Sequence, residues 1–336
     1  MQLDLNATQG KRVHASDKRM INATTDVNQL VPFKYKWAWD MYLAACENQW
    51  MPTEHDMRAD AGQWQSSVVS QADRCAVSRA LYASVFQYGQ GMDSIVLGIY
   101  RHLTAPEARQ YLLRQSFEEG LSSHAFSHIV EALGDIPEDT IDRSIRKDYL
   151  APYLAVLSDP KYKTGTVDTD QALLRALAVY TVTMKGLFPL VDIIQVLELG
   201  QRGKMASVAA MHRLELRDLT MHCNFGVEVI NAIKTENPHL WTPALRAELT
   251  NLITQAVDIE AAYIGQISPA DDAKYAMFLR IVANRRANQI GLDNIYPNPG
   301  KNPFPWIGEL LGLRKDDAGF EVRAMETKTT ETLSWD

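Results

Sequence analysis

What most constrains the fold of this chain is the length of its uninterrupted helical periodicity. Apolar residues recur at three- and four-residue spacing near 33–50, 72–100, 106–133, 139–157, 168–199, 203–234, 243–265 and 270–290, and two-residue alternation is nearly absent. Long helices with short connections bury their apolar faces as a bundle, so an all-α fold is expected. Local signals mark several ends. Thr104-Ala-Pro-Glu107 has the capping-box spacing with Pro106 in the first turn, and Gly134 follows the last apolar residue of that helix. The Pro/Asn-rich stretch from Tyr296 to Trp306 is expected to end helical structure, because proline removes a donor and restricts the residue before it.

At 336 residues, 46% of them hydrophobic, the chain has ample material for a sizeable core, and neither a repeat nor a linker divides it. The expected organisation is a polar, flexible arm over 1–30, one helical domain over 31–315 and a flexible tail over 316–336. A formal charge of -7, with no basic cluster beyond pairs such as Arg285-Arg286, argues against nucleic acid or a membrane surface as partner. The three cysteines, Cys46, Cys75 and Cys223, lack Cys-x-x-Cys spacing and leave one thiol over, which indicates neither a disulfide framework nor a zinc site. A cytoplasmic location fits this usage. The polar start of the chain and the expected lack of any run near ~20 apolar residues argue against secretion and membrane insertion. The sequons at Asn6 and Asn22 then read as chance matches.

Two short segments carry the chemistry. A bundle that binds two metal ions takes one carboxylate from each of two helices and a Glu-x-x-His pair from each of the other two. The i, i+3 spacing turns both side chains of a pair to one face. Glu119-Gly-Leu-Ser122 keeps the carboxylate without the imidazole, whereas Leu219-Thr-Met-His222 keeps the imidazole without the carboxylate.

Further motifs carry a resemblance. Val31-Pro-Phe-Lys-Tyr-Lys-Trp-Ala-Trp, Asn48-Gln-Trp-Met-Pro, Ile95-Val-Leu-Gly-Ile-Tyr-Arg-His-Leu-Thr, Arg217-Asp218, His222-Cys-Asn-Phe-Gly, Asn302-Pro-Phe-Pro-Trp and the terminal Leu333-Ser334-Trp335-Asp336 resemble the small, radical-generating subunit of class I ribonucleotide reductase. The likeness runs from about residue 5 to the last residue. It implies a ferritin-like four-helix core extended by further helices, a homodimer or a heterodimer with another small subunit, and a large-subunit partner docked through Leu333 to Asp336.

The resemblance also shows what has changed. The family's ligand positions fall on Tyr88, Glu119, Ser122, Lys185, Leu219 and His222, so four of six differ from the expected carboxylates and imidazoles. The position of the radical tyrosine is Phe126, as in members that use a mixed-metal oxidant. Trp50 and Asp218 match the start of the family's long-range electron and proton path. Its linking His is Ser122, and the tail Tyr appears as Thr327.

Two ligands on different helices cannot offset the charge of two buried ions, so no di-iron or di-manganese cofactor is expected. Lys185 is expected instead to neutralise Glu119 as a buried salt bridge, with Tyr88 and Leu219 filling vacated volume and His222 as a hydrogen-bonded core histidine. The first reading is a non-catalytic small-subunit paralogue that works in assembly or regulation. An alternative takes some metal-free members of the family as its guide. They carry a radical on a modified Tyr and have a Lys among their replacements, but keep the Tyr that is Phe126 here. In this alternative Tyr88 is the radical candidate, with Lys185 and Glu119 as its proton acceptors. An unrelated binding role for the scaffold is a third possibility, against which the Trp335-Asp336 terminus argues.

Overall fold

The computed structural model describes residues 35–45, 54–93, 98–134, 136, 144–159 and 165–311. The arm over 1–30, Cys46, Trp50, Thr327 and the docking segment Leu333–Asp336 lie outside the described residues.

Among the described residues the chain is helical and forms no strand. In order come α1 (Lys36–Ala45), α2 (Glu54–Gln65), α3 (Gln71–Asp93), the single turn α4 (Tyr100–His102), α5 (Pro106–Leu133), α6 (Ser144–Ser158) and α7 (Val167–Ala178). A π-helical segment, Val179–Lys185, then leads through a turn to α8 (Leu190–Gln201). The chain continues with α9 (Ala206–Glu236), α10 (Pro243–Ile267), α11 (Asp272–Gln289) and α12 (Pro305–Leu310). The ferritin-like core is formed by α3, α5, α9 and the run from α7 through α8. Within it α3 packs on α5 and α8, and α9 packs on α8 and the π segment. Outside it α1 and α2 lie on α5, and α10 pairs with α11.

The differences from expectation have local causes. The expected helix 168–199 is broken, because Pro189 has no N–H to give the preceding turn and Gly186 sits where a side chain has no room. A Cβ on Gly186 would stand 2.6 Å from the Val182 carbonyl. The N–H of Phe188 reaches the carbonyl of Thr183, five residues back, at 3.0 Å. Such a widened turn shifts the aim of the side chains on it, and Lys185 is its last residue. The Thr104 capping box does not form. Ala105 is the cap residue of α5 without a side-chain bond, and Glu107 instead accepts the backbone N–H of Tyr35 at 2.7 Å. Gly134 does close α5, with φ 78°. A short helix, α12, begins within the proline-rich stretch, at Pro305. The apolar run Val167–Gln201 is long and apolar enough to cross a membrane by composition, and its apolar window is wholly buried inside the bundle.

Helix α2 has no expected counterpart, because its inward stripe is Met57, Asp60 and Trp64, apolar only at its two ends. Asp60 explains itself by what it binds. Met205, before α9, adopts a left-handed φ of 50° and offers no side-chain cap. The Asp60 carboxylate, reaching across from α2, accepts the N–H groups of Ser207 and Val208, both at 2.9 Å. The exposed donors at the start of α9 are thus satisfied from another helix. Replacing Asp60 by Ala is expected to lower stability by roughly 1–2 kcal/mol, as for loss of a strong N-cap, measured by urea unfolding.

Candidate functional site

At the centre of the bundle the buried carboxylates of Glu118, Glu119 and Glu215 lie among α3, α5, the π segment and α9, with Asp218 buried beside them. The middle one is Glu119 on α5. The Lys185 ammonium lies 2.9 Å from Glu119 Oε1, and both side chains are fully excluded from solvent. The same oxygen accepts the Gln115 amide at 3.0 Å and the Tyr180 hydroxyl at 3.4 Å. Lys185 lies between two rings, 5.6 Å from the centroid of Tyr88 and 5.5 Å from that of Tyr180. Each ring presents its electron-rich face to the cation. Gly91 on α3 makes room for the pair, since a Cβ there would stand 2.0 Å from Glu119 Oε2 and 2.8 Å from Lys185 Nζ.

On one side of this pair, Glu118 accepts Arg114 Nε at 3.0 Å and bonds His222 Nε2 at 3.0 Å. His222 Nδ1 is 3.9 Å from Glu119 Oε1, so the imidazole belongs to the Glu118 pair. His222 is buried and hydrogen-bonded to Glu118. Tyr111 stacks on Phe225 beside it, with ring centroids 3.8 Å apart. Leu219 fills the inner face of α9, Asp218 is buried next to it, and Cys223 is buried.

On the other side stands a network that the sequence reading missed. Glu215 accepts the Ser84 hydroxyl at 2.8 Å and the Tyr88 hydroxyl at 3.2 Å on one oxygen, and its other oxygen is 2.6 Å from His212 Nδ1. This corrects the expectation that Tyr88 would turn to Lys185 and Glu119. Lys185 meets its ring face, and the phenol proton points to Glu215. Burial pushes the Tyr88 hydroxyl well above the usual phenol range, and the charges of Glu215, Asp218 and Glu119 push it further. The Ser122 hydroxyl adjoins it and acts weakly the other way. Phe126 lies parallel to Tyr88, 6.0 Å between centroids, and packs against His212 at 5.0 Å. The visible signal for this network was Glu215 three residues after His212, a spacing that aims both inward if either is buried.

The fit of these side chains to a metal pair can be judged from their chemistry. Tyr88, Ser122 and Leu219 bring no carboxylate, Glu119 faces an ammonium, and Glu118 and Glu215 are held by Arg114 with His222 and by His212. Among the described residues no group of three or more His, Cys, Asp or Glu side chains is arranged to hold an ion.

Removing one partner of a buried pair strands the other charge. Lys185→Met is expected to cost roughly 3–5 kcal/mol in urea unfolding, and the double variant with Glu119→Gln should recover most of that loss. Equal losses in the single and double variants would contradict a direct pair.

The model of the family described as ribonucleotide reductase, small chain, matches residues 27–303. The ribonucleoside-diphosphate reductase subunit beta of Chlamydia pneumoniae is 37% identical over the full length of both chains. Among solved structures, the ribonucleotide reductase R2 subunit of Clostridium botulinum superposes with a TM-score of 0.73 at 21% identity, over 83% of this chain and 89% of that one. A dimanganese(II) protein of Streptococcus sanguinis does so at 0.62 and 14% identity, over 86% of this chain and 99% of that one. At those identities the two structures speak for the fold, whereas the family match and the full-length relative speak for descent. The chain belongs to the small-chain family of ribonucleotide reductase.

Proposed function

We propose that this small subunit carries no di-metal centre, generates no radical by the family's metal route, and serves as a non-catalytic assembly or regulatory partner. Its partner is a ribonucleotide reductase large subunit, an active small subunit, or both. The observation that carries the reading is the Lys185–Glu119 pair, which puts an ammonium against the carboxylate that would otherwise face a metal ion. Glu119 is then neutralised without any cofactor. Terminal segments that bind through a few large side chains are common, and Leu333–Asp336 is the segment of this chain suited to the large subunit.

Pairing with a second small subunit has support on the surface. Leu113, Phe117 and Leu121 stand exposed at four-residue intervals on α5, and Tyr82 and Val85 are exposed on the neighbouring α3. A continuous apolar stripe of this kind suits burial against another chain. Phe117→Asp is expected to shift the protein to monomer in analytical ultracentrifugation without changing its helical content.

A second reading, a metal-independent radical carrier, is favoured by one observation, the hydrogen bond from Tyr88 to Glu215 at 3.2 Å. The two readings separate in an assay of ribonucleoside-diphosphate reduction with the large subunit and this chain as sole small subunit, run with chelator. No turnover is expected, with substoichiometric metal by mass spectrometry and binding that is lost when the last ten residues are removed. Turnover in chelator that disappears in Tyr88→Phe would establish the second reading. Stoichiometric iron or manganese supporting turnover would overturn both.

A further inference from the structure

Away from the central carboxylates, a cavity of about 230 Å³ lies where the start of α1, the link into α5, the first turn of α7 and the end of α9 meet. An engineered apolar cavity that admits benzene is smaller, at about 150 Å³. Ala108, on the α5 wall, stands about three helical turns from Glu119, so the cavity is separate from the central site. Its floor is apolar, built from Leu103, Ala108, Leu173, Val229 and Ile233. Tyr35 and Trp37 supply an aromatic wall, edge to face with their ring centroids 6.2 Å apart.

The charges around this cavity have one sign. Asp170, in the first turn of α7, and Glu236, the last residue of α9, both line it, and among the described residues that do so none is Lys or Arg. Asp170 accepts the Gly165 N–H at 3.1 Å and Glu236 accepts the Tyr35 hydroxyl, and neither bond cancels the charge of its carboxylate. His102 adds no positive charge at neutral pH. Burial pushes its imidazole below the usual histidine range and Arg101 adds to this, while Asp170 acts the other way. A neutral ring agrees with the long bond in which Arg101 Nε donates to His102 Nε2 at 3.4 Å. Arg101 turns its Nη2 to the carbonyls of Leu157 and Asp159. The end of α9 brings the negative pole of its dipole to the cavity, whereas the positive pole of α5 is answered by Glu107 in its own first turn.

We infer that this cavity binds a small organic cation, an ammonium group carried on a single ring or a short branched chain. The apolar body fills the floor, and the ammonium pairs with Asp170 and Glu236 against the aromatic wall. An anionic ligand would meet two like charges there, and a neutral one would leave both carboxylates unused. The inference is independent of ribonucleotide reduction, since no residue of the central carboxylate network takes part.

The test uses the full chain, with phenethylamine as probe and phenylethanol as its neutral counterpart of similar shape, followed by saturation-transfer NMR and calorimetry. Saturable binding is expected, with the amine roughly tenfold tighter than the alcohol, the scale of a partly buried ion pair with a ring contact. Asp170→Asn and Glu236→Gln should each cut that preference to about threefold or less. Ala232→Phe, which puts a ring into the cavity, should abolish binding of both probes. Absence of saturable binding to the intact chain overturns the site, and equal affinity for amine and alcohol overturns the cationic class. A preference unchanged in both carboxylate variants, or binding unchanged in a folded Ala232→Phe, overturns the assignment to this cavity. If Ala232→Phe fails to fold by circular dichroism, the carboxylate variants decide alone, because Asp170 is only half-buried and Glu236 is exposed.

Discussion

The ion pair between Lys185 and Glu119 is the constraint on which the rest of the interior depends. A fully buried ammonium is tolerated only with its counter-charge close by, and the two residues sit on segments far apart in the chain. Holding them at 2.9 Å requires the widened turn that aims Lys185, the missing side chain at Gly91, and the rings of Tyr88 and Tyr180 on either side. Three elements are thereby held in one register. An ordinary apolar core would tolerate small slips between them, while this one leaves a stranded charge if any element moves.

The carboxylates on either side repeat the same solution with different partners. Glu118 has Arg114 and His222, and Glu215 has His212 with two hydroxyl donors. Each anion thus meets a basic or donor group supplied by the chain itself. The centre of this bundle is accordingly polar.

Much of this was legible in the sequence. Helix α5 ran as its periodicity indicated, from Pro106 to Leu133, and the Lys185–Glu119 pair was expected because the resemblance puts both residues at ligand positions of one site. What escaped detection depended on long-range partners. Asp60 made α2 look too polar to be buried, since the N–H groups it caps lie 147 and 148 residues away. Glu215 and His212 were not singled out, because the phenol that bonds Glu215 comes from α3. The break at the π segment escaped because apolar periodicity continues through it, and only Gly186 and Pro189 hinted at it.

The apolar run from Val167 to Gln201 has a consequence for the birth of the protein. Two of its covering helices, α9 and α10, are synthesised after it, and 66 residues separate Gln201 from Ile267, the end of α10. At translation rates of about 5–20 residues per second, that stretch waits several seconds beside the ribosome before α9 and α10 are complete. During that interval it is a hydrophobic nascent segment of the kind that chaperones and membrane-targeting machinery recognise. The polar centre then acts on which route prevails, because Lys185, within the run, has its counter-charge on α5, an element already made. An ammonium that pairs early within the folding chain makes this segment a poor cargo for a lipid bilayer.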